Sequence, residues 1–250
     1  MTTPSHDAAY YNRLWGAAWR AASGVSPLRA SRERLILREI RDALAPGVAL
    51  LDVGCGDGHL LSLVRDRFPQ VRLRGVDFAE GALADTPASL RERIVVGDIA
   101  NLAACLPGER FEVVVCSEVL EHVDDPQAVL RAIASVLAPR GLVVVTVPGG
   151  MRYWSDLDVA AGHCRRFEHD ELGAQLAAAG LDVERVYGWG ALVGRLYYRV
   201  IRSVGAGGVS SAARSPLAAL AGRVATEAMR LDDLLPRRGA FQLVARARGR

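Results

Sequence analysis

The stretch Leu50-Leu51-Asp52-Val53-Gly54-Cys55-Gly56-Asp57-Gly58-His59-Leu60 constrains the fold more than any other part of this chain. An apolar run breaks into three glycines at alternate positions and then continues as a helical pattern. Glycine adopts positive φ without strain and lets a ligand approach the backbone, and the first N–H groups of the following helix point toward that ligand. The segment therefore predicts a strand, a nucleotide-binding turn and a helix.

The spacing of the glycines indicates which kind of ligand the turn accepts. A dinucleotide fingerprint reads G-x-G-x-x-G, whereas here the third glycine follows the second by two residues and no P-loop lysine follows. Asp52, two residues before Gly54, would repel a pyrophosphate. An acid there suits a ligand that carries ammonium and sulfonium groups. A tight turn without chemical importance is the alternative for this segment taken alone.

Further apolar runs end in polar residues that a nucleotide-binding fold brings to one crevice. Asp77 ends the run 71–77, Asp98 closes the run that starts at residue 93, and Ser117-Glu118 follows the run 111–116. In βαβ folds an acid at the end of the second strand accepts hydrogen bonds from ribose hydroxyls. Each acid alone also fits a helix cap or a solvated turn, but their recurrence at strand ends favours a ligand site.

The alternation of apolar runs and helical stretches predicts the fold class. Continuous hydrophobic strands separated by helices are typical of a parallel sheet covered on both faces. We predict an α/β fold with a doubly wound, seven-stranded, mostly parallel sheet, its sixth strand at 181–187 and its last at 240–245. The long segment between those strands shows leucines and valines at helical spacing around a small-residue linker at 205–215, and predicts a helical insertion before the last strand.

These motifs, in this order, resemble those of the class I S-adenosylmethionine (SAM) methyltransferases, in particular the UbiG-like, small-molecule branch. The resemblance rests on the glycine turn at 54–58, Ser117-Glu118-Val119-Leu120-Glu121-His122, the run 162–167 and the Arg-Arg-Gly before the last strand. It implies SAM as cofactor and four parts: an N-terminal helical extension over the cofactor pocket (1–45), a SAM-binding core (46–190), a helical insertion or cap (191–236) and a C-terminal segment whose strand inserts antiparallel between the fifth and sixth (237–250).

The resemblance also implies roles for individual residues. Asp77 would hold the ribose, Asp98 the adenine amino group, and Ile99 would pack on the adenine ring, while Glu118 would lie near the methionine end of SAM. The full expected cofactor set is Asp52, Gly54, Cys55, Gly56, Gly58, Asp77, Phe78, Asp98, Ile99, Ser117 and Glu118.

The expected reaction is methyl transfer to a small, partly hydrophobic acceptor, with oxygen as the favoured acceptor atom. Since SAM carries its own leaving group, the protein mainly holds the acceptor in line and excludes water. The alternatives are nitrogen or carbon methylation of a metabolite or sugar, RNA methylation, SAM binding without catalysis and, on the glycine turn alone, an NAD-dependent oxidoreductase. The Asn/Asp-Pro-Pro-Tyr signature of the N-methylating members is absent after the fourth strand.

An oxygen acceptor benefits from a general base, for which histidine suits neutral pH. His163 and His122 follow strands at the edge where this fold places its ligands, and they are the candidate catalytic residues. Glu118, Glu121 and His122 are also spaced so that they can hold a divalent cation. The same residues have another explanation, in which Glu118 lies near SAM while Glu121 and His122 fix the turn. We therefore assign no metal.

Charge is distributed unevenly along the chain. Residues 185–250 contain twelve arginines and three acidic residues, whereas residues 1–184 have a net charge of −6. The segment 192–204 predicts a basic amphipathic helix, for which we considered packing on the sheet edge, a substrate cap, and peripheral membrane or dimer contact. A dedicated RNA-binding module is absent, so nucleic acid is not an expected partner, and no oligomeric state is predicted.

Composition fits a globular enzyme. The chain has 250 residues, of which 50% are hydrophobic and 24% charged. This length and composition allow one domain with a sizeable core and an additional segment. Neither a signal peptide nor an apolar run of membrane-spanning length is evident, so a cytoplasmic location is expected. The four cysteines have no C-x-x-C spacing, which makes a zinc site or a disulfide framework improbable.

Overall fold

A computed structural model describes residues 26–212, 216–235 and 240–250. The strands are β1 Ala49–Val53, β2 Arg72–Asp77, β3 Ile94–Val96, β4 Phe111–Ser117, β5 Leu137–Pro148, β6 Leu181–Trp189 and β7 Gln242–Gly249. The helices are α1 Pro27–Ile40, α2 His59–Arg67, α3 Ala88–Arg91, α4 Leu102–Cys105, α5 Pro126–Val136, α6 Asp156–Ala161, α7 His169–Ala178, α8 Val193–Ala212 and α9 Pro216–Ala228. Short 3-10 turns connect several of these elements.

The seven strands form one sheet in the order β3-β2-β1-β4-β5-β7-β6. The pairs among β1 to β5 are parallel, and β7 lies antiparallel between β5 and β6. The predicted doubly wound sheet, with its last strand reversed between the fifth and sixth, is thus confirmed. The strand order reverses direction between β1 and β4, and in such sheets the ligand crevice opens at the carboxyl ends of these two strands.

Two apolar layers cover the two faces of the sheet. One face packs against α5 and α7 through side chains such as Leu130, Ile133 and Leu172, and the other packs against α1 and α2 through Leu35 and Leu61. Because both faces are buried, β1 and the second half of β5 are continuous runs of buried residues. This is the reason for their unbroken apolar sequences.

The insertion after β6 is attached to the core at both ends. Asp232 accepts hydrogen bonds from the N–H groups of Leu192 (2.7 Å), Val193 (3.2 Å) and Gly194 (2.7 Å), which caps the start of α8. Trp189 Nε1 at the end of β6 donates to Asp233 Oδ1 (3.0 Å). The two acids that close the insertion therefore fasten it to the strand from which it departs.

The structure differs from the sequence prediction at two boundaries. The segment 205–215 was predicted as a linker, but α8 continues through Ala212 after a break at Gly205, where φ is 72° and ψ is 168°. The last strand runs to Gly249 rather than ending at residue 245, because Arg246 and Arg248 pair with Glu184 at 2.5 Å across β6 and extend the ladder. Alternating arginines outside the apolar run gave no hydrophobic signal for a strand.

Residues 1–25 of the predicted N-terminal extension and the Arg-Arg-Gly motif at 237–239 lie outside the described residues, and so does part of the linker. Of the predicted N-terminal extension, α1 is described, and Pro27 opens it with Ser26 as its N-cap. In the part of the chain that the structure covers, no helix is long and apolar enough to cross a membrane.

Candidate active site

The glycine turn is fastened to the end of β2. Gly54, Gly56 and Gly58 have φ values of 70°, 52° and 70°, all in the left-handed region. Gly54 N–H donates to the Val76 carbonyl (2.8 Å), and Gly56 N–H donates to the Asp77 carboxylate (2.8 Å). Asp77 therefore orders the turn in addition to any contact it makes with a ligand.

Gly54 is required by packing as well as by its backbone conformation. A Cβ at this residue would lie 2.4 Å from Cγ2 of Val119, on the segment that follows β4. The sequence pattern accounts for this glycine by the approach of a ligand. The structure adds a nearer cause, namely the contact between the glycine turn and the residues after β4.

Replacement of Gly54 by alanine is expected to destabilise the fold by about 1–3 kcal/mol more than replacement of Gly47, as measured by urea unfolding. Gly47 is the matched control because its φ is 84° and its Cβ direction is open. In the G54A/V119A double variant the loss should be smaller than the sum of the two single losses. Equal losses for Gly54→Ala and Gly47→Ala would show that Val119 does not restrict the turn.

Helix α1 is tied to the same turn by ion pairs. The guanidinium of Arg29 donates to both oxygens of Asp57 (2.9 and 2.5 Å) and to Glu33 (2.9 Å). Burial alone would raise the pKa of Asp57, but the hydrogen bonds and charge of Arg29 outweigh it and lower the pKa. The start of α1 is thus held beside the predicted cofactor crevice.

The acids predicted to bind the cofactor lie at neighbouring strand ends. Asp52 and Asp77 are buried, and burial raises the pKa of both carboxyls; the nearby charge of Asp77 raises that of Asp52 further. Gly97 N–H donates to the Asp77 carbonyl (2.9 Å), which brings the exposed Asp98 to the end of β3 beside β2. Asp98 accepts from Ala100 N–H (2.8 Å), and Ile99 is buried in the core.

The remaining predicted cofactor residues flank this crevice. Cys55 is buried in the turn, and Phe78, half-buried, follows β2 directly. Ser117 Oγ and Thr146 Oγ1 of β5 are 2.8 Å apart. The structure therefore brings the predicted set to the carboxyl ends of β1, β2, β3 and β4.

Glu118 is held in an unusual backbone conformation by its neighbours. Its φ is 55°, in a region that residues other than glycine seldom adopt, and such strain often accompanies functional sites. Its Oε1 accepts hydrogen bonds from Gln242 Nε2 (2.8 Å) and Thr146 Oγ1 (3.2 Å), and its Oε2 lies 3.4 Å from Arg32. Glu118 thus joins β4, β5, β7 and α1 at the mouth of the crevice.

Beyond Glu118 the structure brings together Glu121, His122 and His163. One ligand atom from each lies within 4.8 Å of the others, and the two imidazole rings meet edge to face with centroids 4.8 Å apart. Local spacing predicts a group of Glu118, Glu121 and His122, with His163 as a separate candidate base. The geometry places His163 in this group, while Glu118 is engaged by Gln242, Thr146 and Arg32.

The two histidines are oriented by acceptors behind them. His163 Nδ1 lies 2.9 Å from Asp158 Oδ1, and His122 Nδ1 lies 3.2 Å from the Gly162 carbonyl. Since carboxylate and carbonyl oxygens accept hydrogen bonds, each Nδ1 carries the proton. In the neutral rings Nε2 is then the basic atom, which can take a proton or bind a cation.

Asp158 is the residue of this site that sequence analysis missed. It is buried in α6, and Arg166 donates to both of its oxygens (2.8 and 3.1 Å). Burial would raise the pKa of Asp158, but the hydrogen bonds from His163 and Arg166 outweigh it and lower the pKa to about 2. The available signal in the sequence was an acid five residues before His163.

Glu121 is the most unusual group in the site. It is completely buried, and neither carboxylate oxygen has a hydrogen-bond partner among the described residues. Burial and the nearby charge of Glu118 raise its pKa well above the usual range. A buried polar group without partners is costly, so this carboxyl is suited to a ligand that supplies a hydrogen-bond donor or positive charge.

A model of a protein family described as a methyltransferase domain matches residues 28–186. The chain belongs to this methyltransferase family. It is 33% identical over 168 residues to a ubiquinone biosynthesis O-methyltransferase of Chromobacterium violaceum, covering 60% of the chain and 71% of that protein. It is 39% identical over 145 residues to the protein of the same name from Xanthomonas campestris, covering 56% of the chain and 57% of that protein.

Solved structures confirm the fold of this methyltransferase. A geranyl diphosphate C-methyltransferase from Streptomyces coelicolor, in complex with Mg²⁺, geranyl diphosphate and S-adenosylhomocysteine, superposes with a TM-score of 0.58 at 16% identity over 86% of this chain and 80% of that one. The N-methyltransferase NodS of Bradyrhizobium japonicum, in complex with S-adenosylhomocysteine, gives 0.55 at 16% identity over 90% and 88%. This chain is a SAM-dependent methyltransferase, and its family membership excludes the dehydrogenase alternative.

Proposed function

We propose that this methyltransferase transfers the methyl group of SAM to a hydroxyl oxygen of a small, partly apolar acceptor. The observation that carries the proposal is the hydrogen-bonded Asp158–His163 couple, whose Nε2 lies beside Glu121 and His122. The named relatives from Chromobacterium and Xanthomonas are O-methyltransferases, which supports oxygen as the acceptor atom. The solved C- and N-methyltransferases share only the fold, so the fold alone does not select the acceptor.

The cofactor is proposed to lie across the carboxyl ends of β1 to β4. Asp77 would accept from the ribose hydroxyls while it holds Gly56, and Asp98 would accept from the adenine amino group. The methionine end would extend toward Ser117 and Glu118. Asp52, under the glycine turn, would supply negative charge toward the sulfonium end of SAM.

The raised pKa of Asp52 gives a pH prediction. Burial favours the neutral carboxyl in the free protein, and a bound cation favours the carboxylate, so SAM binding should release protons and strengthen as the pH rises toward the raised pKa of Asp52. Titration calorimetry in buffers of different ionisation enthalpy measures this release. Asp52→Asn should bind more weakly and release fewer protons. Equal proton release by both proteins would contradict this role of Asp52.

The chemistry proposed for the acceptor site is proton removal coupled to in-line transfer. The acceptor oxygen forms a bond to the methyl carbon as the bond from that carbon to sulfur breaks, and sulfur leaves as a neutral thioether. The hydroxyl proton passes to Nε2 of His163, and Asp158 stabilises the resulting imidazolium. The protonated form of Glu121, which burial favours, can donate a hydrogen bond to a second polar group of the acceptor.

A second candidate for the same cluster is a divalent cation that holds the acceptor oxygens. The observation that favours it is the Glu121 carboxyl, which has no hydrogen-bond partner among the described residues and lies beside two imidazoles that are both oriented from behind. Two imidazole nitrogens with one carboxylate oxygen suit manganese, iron or zinc better than magnesium. A cation would need the charged form of Glu121, and its positive charge would lower the pKa that burial raises.

The experiment supplies ¹³C-methyl SAM with a panel of phenols, catechols, anilines and aliphatic amines, and NMR identifies the atom that receives the label. We expect O-methyl products from hydroxylated aromatic acceptors. Exclusive N-methyl or C-methyl products would contradict the proposal. In parallel, full activity in EDTA would eliminate the cation, whereas loss in EDTA with recovery in manganese or zinc would establish it.

A further inference from the structure

Exposed apolar side chains are concentrated on the insertion. The described residues include thirteen large hydrophobic side chains that are exposed, and nine of them lie between residues 192 and 234: Leu192, Leu196, Val200, Val204, Leu217, Leu220, Val224, Leu231 and Leu234. Their exposed fractions range from 49% to 82%. Single exposed apolar residues are ordinary, but such a concentration marks an interaction surface.

The inner side of α8 packs against the core. The exposed apolar side chains therefore belong to a helix that is already attached to the protein. Tyr198 is buried, stacks on Phe241 with centroids 5.3 Å apart, and accepts from Arg166 (2.7 Å). Tyr197 and Ile201 pack against the same core. The Asp232 cap fixes the start of the helix, so its exposed side is held outward.

The exposed side of α8 is also basic. We define the outer face as Leu196, Val200 and Val204 with Arg199 and Arg202, all exposed. The apolar residues recur every fourth position, and the arginines are three residues apart, so they line one edge of the apolar strip. From residue 185 to residue 226 the chain contains six arginines and no acidic residue.

We propose that the outer face of α8 docks on a membrane surface that contains anionic lipids. An interfacial helix buries aliphatic side chains at the boundary of the acyl chains while its arginines pair with lipid phosphates. A second copy of the chain would bring like-charged arginines together across a two-fold contact. Aliphatic side chains do not provide the stacking surfaces used for single-stranded nucleic acids.

The test is co-sedimentation of the full chain with vesicles of phosphatidylcholine alone or with one third phosphatidylglycerol. We expect binding to the anionic vesicles that weakens as salt is raised. Arg199→Gln with Arg202→Gln should lower the partition constant about tenfold, and Leu196→Asn with Val200→Asn should lower it by a similar factor. Matched controls on other surfaces are Val183→Asn and the pair Arg67→Gln and Arg110→Gln, which should bind as the wild type does.

The outcomes are distinct, and none depends on the methyl acceptor. Failure to bind anionic vesicles, or equal binding to neutral ones, would overturn the proposal. Light scattering supplies a third outcome, since a dimer that dissociates in the L196N/V200N variant would assign the outer face to a second copy instead. Salt-sensitive binding lost in both outer-face variants and kept in the controls would establish the membrane surface.

Discussion

Replacing His163 with alanine is expected to lower turnover by about 10²–10⁴-fold while SAM affinity stays nearly unchanged. The reason is that the variant loses the proton acceptor, whereas the proposed cofactor contacts lie at Asp77, Asp98 and the glycine turn. Single-turnover kinetics with labelled SAM measure the chemical step, and calorimetry measures SAM binding. Asp158→Asn should also lower turnover, because an amide cannot stabilise the imidazolium as a carboxylate does.

His169→Ala is the matched control for this prediction. His169 is exposed at the start of α7 and contacts Asp170 and the Val186 carbonyl, away from the Glu121 cluster. Its loss should leave turnover unchanged. If His163→Ala retained wild-type turnover, proximity and exclusion of water would be the whole mechanism.

Replacing Asp77 with alanine is expected to weaken SAM binding by about 1.5–3 kcal/mol, which is tenfold or more. The variant loses the proposed ribose contact and also releases the N–H groups of Gly56 and Ala79, both bonded to the carboxylate at 2.8 Å. It should therefore unfold at a lower urea concentration as well. Calorimetry on protein shown to be folded by circular dichroism separates the two effects.

Asp66→Ala serves as the control for Asp77, since Asp66 is an exposed acid on α2. SAM affinity should be unchanged in that variant. Unaltered SAM affinity in a folded Asp77→Ala protein would contradict the ribose assignment, even if its stability had fallen.

The fold could be predicted from the sequence because its strongest signals are local. The glycine turn, the buried strands and the acids at strand ends each depend on a few consecutive residues, and the alternating run 240–245 was enough to find β7. The length of β7 was missed because Arg246 and Arg248 are stabilised by Glu184, which is distant in the sequence. A charge pair across strands leaves no periodic hydrophobic pattern.

The candidate active site was predicted only in part for a similar reason. His122 and His163 were both singled out, yet their contact through a turn and a loop forty residues apart follows from tertiary packing. Asp158 was missed because a buried acid becomes meaningful only when the fold brings it against His163 and Arg166. Local spacing favours Glu118 as a member of the cation group. In the structure Glu118 has a positive φ, and its carboxylate accepts a hydrogen bond from Gln242 of β7 instead.

The central claim is that His163 removes the acceptor proton during methyl transfer, and a series of phenols of increasing acidity tests it most directly. The measured quantity is the ratio of wild-type to His163→Ala single-turnover rates for each phenol, in the presence of EDTA. An acidic phenol is already ionised and needs no base, so the ratio should fall toward one as acidity increases. A ratio that stays constant across the series would contradict the role of His163 as the base.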